Sequence, residues 1–140
     1  MTRYELVKQI QKEFEDKFTV ANGYQIEPIQ VLVGLNDPLH VTQYPSLAVQ
    51  LVSDPMLVVT SDDDIERIAT FVVAGYFNDA EDMYKMCDDV EKFLYSSNFI
   101  YYESVELNPE GATFPASGIG DYAGLYTFDF MFIINYTQEF

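Results

Sequence analysis

Residues 125–136 read LYTFDFMFIINY, and their alternation decides the fold. Tyr126, Phe128, Phe130, Phe132, Ile134 and Tyr136 fall on one face of an extended strand. Leu125, Thr127, Asp129, Met131, Ile133 and Asn135 fall on the other. At about 3.3 Å per residue the stretch reaches roughly 40 Å, about twice an ordinary strand. A strand so long and so apolar on one side must pair inside a sheet or be covered, because its free edge would otherwise template aggregation. The Tyr126-to-Tyr136 face has two readings: core beneath helices, or contact between subunits.

Upstream, residues 108–124 (NPEGATFPASGIGDYAG) hold four of the seven glycines and two of the six prolines. They read as a long connection or extended hairpin arm. Before the arm, Phe99 to Leu107 predicts a strand. A helix precedes it, capped by Asn78 or Asp79, carrying Met83, Cys87, Val90 and Leu94 along one face and ending near Ser96-Ser97-Asn98. Asp88, Asp89 and Glu91 read as its wet face. Residues 65–77, IERIATFVVAGYF, form a second long strand whose centre, Ala69 to Ala74, is apolar on both sides and so predicts a central, covered position.

Met56 to Thr60 reads as a strand extension running to a tip at Ser61-Asp62-Asp63-Asp64. Ser46 to Val52 is a strand introduced by Tyr44-Pro45, a place where proline's missing donor is harmless. Residues 24–44 are loose, broken by Pro28, Gly34 and Pro38, with Ile29 to Leu35 as a short strand candidate. Thr2 and Glu5 have capping-box spacing, and Leu6, Val7, Ile10, Phe14 and Phe18 follow at helical spacing, giving a first helix over 3–18. The expected fold is a single α+β domain over residues 1–140. Its order is α-β-β-α-β-β, with a mixed or antiparallel sheet of four to five strands and both helices on one face.

Composition narrows the classes. With 49% hydrophobic and 16% aromatic residues the chain can build a core and is not intrinsically disordered. No apolar run approaches the roughly 20 residues of a membrane span, and no signal-peptide block opens the chain, so a soluble protein made in the cytoplasm is expected. The single cysteine excludes an internal disulfide. Net charge is −16, and residues 1–20 balance four bases against four acids, so the excess lies wholly beyond them. Such a body repels nucleic acid and anionic membrane. It suits a surface that lets DNA pass, a surface that imitates DNA, or plain solubility.

Catalytic constellations are absent from the sequence, and no enzyme is expected. His40 is the only histidine and sits in a proline-bounded loop. Cys87 lies on an apolar helical stripe without a positive neighbour to activate it, which reads as a structural thiol. Asp62, Asp63 and Asp64 with Glu66 lack the alternating ligands and glycine of a calcium loop, so a solvated hairpin tip is the simpler reading. Gly118-Ile119-Gly120 precedes a strand rather than a helix and fails as a nucleotide loop. No metal or cofactor is implied.

Several elements together carry a resemblance. They are the amphipathic first helix, the strand YPSLAVQL, the acidic tip, and a long strand ending Phe77-Asn78-Asp79-Ala80 before the second helix. The Gly/Pro arm and an aromatic closing strand ending Ile134-Asn135-Tyr136 complete the set. This order resembles the tail terminator (tail completion) proteins of long-tailed bacteriophages. The resemblance implies a non-catalytic ring, usually a hexamer, at the head-proximal end of the virion tail. There it would cap the tail tube, stop its polymerisation and join a head-completion or connector protein, with DNA sliding through the lumen unbound. It places interface candidates at the tip (Asp62, Asp63, Asp64, Glu66) and along the arm (Phe114, Pro115, Tyr122). The alternatives are an acidic DNA mimic that inhibits a DNA-binding protein, and a head-completion or connector protein of the same build.

Overall fold

Thr2 begins the first helix as predicted. In the computed structural model, which describes residues 2–54, 56–59, 64–96, 104–115 and 120–139, α1 spans Arg3–Lys17. The Thr2 hydroxyl accepts from the Glu5 amide (3.1 Å), and the Glu5 carboxylate accepts from the Thr2 amide (3.2 Å). Two otherwise orphaned donors are thereby satisfied. Leu6, Val7, Ile10, Phe14 and Phe18 are buried, while Lys12–Asp16 and Lys17–Glu13 pair along the helix at four-residue spacing. The second helix, α2, is Ala80–Tyr95. Asp79, rather than Asn78, caps it by accepting from the Glu81 amide at 3.0 Å.

Among the described residues six strands form one sheet: β1 (Gln30–Val33), β2 (Ser46–Ser53), β3 (Met56–Val59), β4 (Asp64–Phe77), β5 (Ser104–Thr113) and β6 (Tyr126–Glu139). The order is β1-β2-β4-β6-β5, with β3 pairing β4 off this path. Every pairing is antiparallel except β1 with β2. Both short strands read from the sequence are thus present, and the element order becomes α-β-β-β-β-α-β-β. β2 pairs with Thr70–Tyr76 and β3 with Ile65–Arg67, so the two follow one another along one side of β4. The sheet is therefore five columns wide.

β4 and β6 pair without interruption from Asp64↔Glu139 to Phe77↔Tyr126, and these two strands are its spine. The edges are blunted. β1 has only four residues, and the Gln11 side chain of α1 donates to its Val31 carbonyl (2.6 Å). The opposite edge, β5, shifts register between Leu107 and Ala112 around Pro109 and Gly111. The arm thus begins later than the sequence implied. Residues up to Thr113 belong to β5 because β6 offers a ladder long enough to hold them, and the proline falls where the ladder breaks. The predicted start of this strand, Phe99 to Glu103, lies outside the described residues.

Both helices pack on the same face, against Leu47, Val49, Ala69, Phe71, Val73, Phe77, Phe128, Phe130, Phe132 and Ile134. The first of the two readings of the closing strand therefore holds: its aromatic face is core. Phe71 stacks on Phe132 (5.4 Å between centroids) and Phe77 on Phe128 (5.7 Å), across the β4–β6 pair. Above them Phe14 meets Phe93 at 5.0 Å and Phe18 meets Tyr24 at 4.9 Å. Gly75 leaves the gap into which the Phe128 ring folds; a Cβ there would run into the rings of Phe128 and Phe77.

Candidate functional site

The period-two alternation that fills the core also dictates the other face of the sheet, which no α-helix of the described residues covers. Along β4 it presents Asp64, Glu66, Ile68, Thr70, Val72, Ala74 and Tyr76, and along β6 Thr127, Asp129, Met131, Ile133, Asn135 and Thr137. Its two ends differ. At the Tyr76 end the chain between β1 and β2 folds over the sheet, so Val41, Ala48, Ala74 and Tyr76 form a small second cluster with Leu32 and Tyr44. The Tyr76 hydroxyl accepts from the Asn36 amide and donates to the Asn36 carbonyl, both at 3.0 Å. In the middle, Ile68, Val72, Met131 and Ile133 are only half-buried. The sequence reading of β4 as covered on both sides is thus half right: its central place holds, but Val72 is not enclosed.

Beside the covering loop lies a cleft of about 270 Å³, with Tyr76, Thr127 and Asp129 as its floor and Asn36, Pro115 and Tyr122 among its walls. Asp129 is half-buried, and loss of hydration raises its carboxyl above the usual aspartate range. Burial also raises the Tyr76 phenol; the Asn36 hydrogen bond opposes this, and the charges of Asp129 and Asp37 add to it. A second groove, of about 460 Å³, runs between Phe14 of α1, Phe18 just past its end, and residues 27–32, with Glu15 and Glu27 at its margins.

The interface candidates read from the sequence separate in space. Asp64 and Glu66 lie at the start of β4, on the helix-free side, roughly 25–40 Å from the cleft by strand length. Asp62 and Asp63 lie outside the described residues. Phe114 turns toward the helix layer, its ring 5.5 Å from that of Tyr84 on α2. Pro115 and Tyr122 line the cleft instead. The arm therefore contributes to both sides of the sheet rather than to one contact surface.

Sequence reading missed a buried polar cluster. Asp54, 7% exposed at its side chain, accepts from Arg3 Nε (2.7 Å) and from the Tyr136 hydroxyl (2.8 Å). Arg67 Nη1 donates to the Asp54 carbonyl (2.9 Å), and Arg67 Nε donates to Gln138 (2.6 Å). The start of α1, the β2–β3 junction, β4 and β6 are thus tied at one point. Burial raises the Tyr136 phenol, and the hydrogen bond to Asp54 and its negative charge raise it further. Asp89 is a second correction. It is buried rather than on the wet face of α2, and it accepts from the Gln25 amide (2.6 Å) and side chain (3.2 Å). Spacing alone assigns such an aspartate to solvent, because its partner lies 64 residues away.

Cys87 is a free, buried thiol, pushed up to about 11 by burial and by the charges of Asp88 and Glu91. His40 ends a single exposed turn, Pro38–His40. Of the glycine motif, Gly118 and Ile119 lie outside the described residues, and Gly120 opens another short turn. Among the described residues no group of His, Cys, Asp and Glu side chains is disposed to hold a metal ion, and no helix is long and apolar enough to cross a membrane. No protein-family model matches the chain, and no curated protein matches its sequence.

Proposed function

We propose that the protein is a structural virion component of the tail-terminator type. In this reading a homo-oligomeric ring, of six copies by the family pattern, caps a tail tube and offers a surface to a head-completion or connector protein. The observation that carries this reading is the asymmetry of the sheet. One face is finished by two helices, whereas the other keeps a half-exposed apolar centre at Ile68, Val72, Met131 and Ile133, between Asp64 and Glu66 at one end and Asp129 at the other. A soluble domain with such a face is suited to burying it against another copy. The charge of −16 fits a lumen that lets DNA slide past carboxylates.

Sedimentation velocity with negative-stain imaging of the purified chain tests the proposal. Rings are expected, and they should form more readily as salt screens the repulsion between copies. Ile133→Asp should leave the monomer folded and abolish them. A monomer at every concentration and ionic strength that also fails to bind tail tubes would sink the reading.

A further inference from the structure

We propose that the cleft floored by Tyr76 and Asp129 receives the guanidinium of an arginine presented by a different protein. The argument begins with where the positive charges are. Every Lys and Arg in the chain belongs to the helix side. Arg3, Lys8, Lys12 and Lys17 are on α1, Lys85 and Lys92 are on α2, and Arg67 points from β4 toward Tyr136 and Gln138. The helix-free face has none. Asp129 is therefore a carboxylate half out of water with no lysine or arginine of its own chain to face it.

The walls specify the counter-charge. Tyr76 and Tyr122 supply aromatic rings, Pro115 a flat apolar side, and Asn36 polar atoms at the margin. A planar, weakly hydrated cation that stacks on aromatic rings while binding a carboxylate through two parallel N–H bonds fits such a set better than an ammonium does. The space, about 270 Å³, equals roughly nine waters and admits one long side chain with solvent to spare. The arginine cannot come from a second copy of this chain, whose only two, Arg3 and Arg67, are both held at Asp54. It must come from another protein. This inference does not depend on whether the chain forms a ring.

The test is an NMR titration of the full chain at about 0.15 M salt. The probes are acetyl-arginine methylamide, its neutral citrulline counterpart, and acetyl-lysine methylamide. Saturable shifts from the arginine probe should centre on Asn36, Tyr76, Tyr122 and Asp129, with the lysine probe weaker and citrulline silent. Asp129→Asn, which removes a charge that burial already disfavours and so should fold, is expected to weaken arginine binding about fivefold or more. Tyr122→Ala should weaken it less, and Asp88→Asn on the outer face of α2 should not change it.

Equal shifts from citrulline, or an Asp129→Asn protein that titrates like the parent, would overturn the proposal. So would shifts spread over the whole acidic surface. Tighter binding of the lysine probe would overturn the arginine assignment and point to the exposed Lys8 of a second copy instead.

Discussion

The two faces of the sheet are made by alternate residues of the same strands, yet they do different things. The helix side is dry: Phe71, Phe128, Phe130 and Phe132 are essentially inaccessible, and polar groups that approach it are bonded, Arg3 and Tyr136 at Asp54 and Gln25 at Asp89. The opposite side leaves Val72, Met131 and Ile133 half-open and keeps an unpaired carboxylate at Asp129 among the described residues. A strand side chain thus does not carry its role in its type. Phe132 and Ile133 are neighbours of similar hydrophobicity, and only the layer above each decides whether it stabilises the monomer or remains available to a partner.

The sharpest way to break this contrast is a pair of truncations. Phe132→Ala should cost about 3–5 kcal/mol in urea unfolding of the monomer, whereas Ile133→Ala should cost under about 1.5 kcal/mol because water already reaches that site. Equal losses would mean that both faces are core. Next in size, Asp54→Ala strips the carboxylate from Arg3 and Tyr136 and removes the charge 3.9 Å from Arg67 Nε, leaving only the backbone bond to Arg67; it should cost about 3 kcal/mol, measured by thermal melts at neutral pH. Arg3→Ala, whose side chain is half in solvent, should cost well under that.

Tyr136→Phe should lose about 1.5–3 kcal/mol, since a hydrogen bond to a buried charge disappears. It also has a pH signature. The folded phenol is raised above its unfolded value, so its contribution is complete below about pH 10 and is lost as pH rises further. Denaturation curves in alkali should therefore fall less steeply for the variant than for the parent. Gly75→Ala should cost about 1–3 kcal/mol, because the new methyl must displace the Phe128 ring. An unchanged midpoint would show that ring to be movable.

The smallest expected effect carries the opposite sign. Asp129 has a raised carboxyl, so its ionisation works against folding, and stability from this group is present below the unfolded aspartate range and lost above it. Asp129→Asn should stabilise the protein slightly at pH 7, by no more than about 0.5 kcal/mol, with the advantage vanishing in acid. Destabilisation instead would reveal a cation already paired with it.

Much of the fold was legible in local pattern. Thr2 and Glu5 announced the first helix, and the alternation of 125–136 announced a long strand with one strongly apolar face, because backbone periodicity and capping act within a few residues. The candidate site was far less legible. Phe114, Pro115 and Tyr122 lie close together in the chain, yet they part to opposite sides of the sheet once β5 claims residues up to Thr113. Asp89 looked like a surface acid, and the role of Asp54 gave no signal, because Gln25, Arg3 and Tyr136 are distant in sequence.

What the sequence determined by itself was the set of elements, their apolar faces and the acidic excess, all consequences of short-range periodicity and composition. What the tertiary structure decided was which face the helices cover. Pairing of β4 with β6 and docking of α1 and α2 gather residues from across the chain, and the burial that results sets which carboxylates are bonded and which are left facing outward.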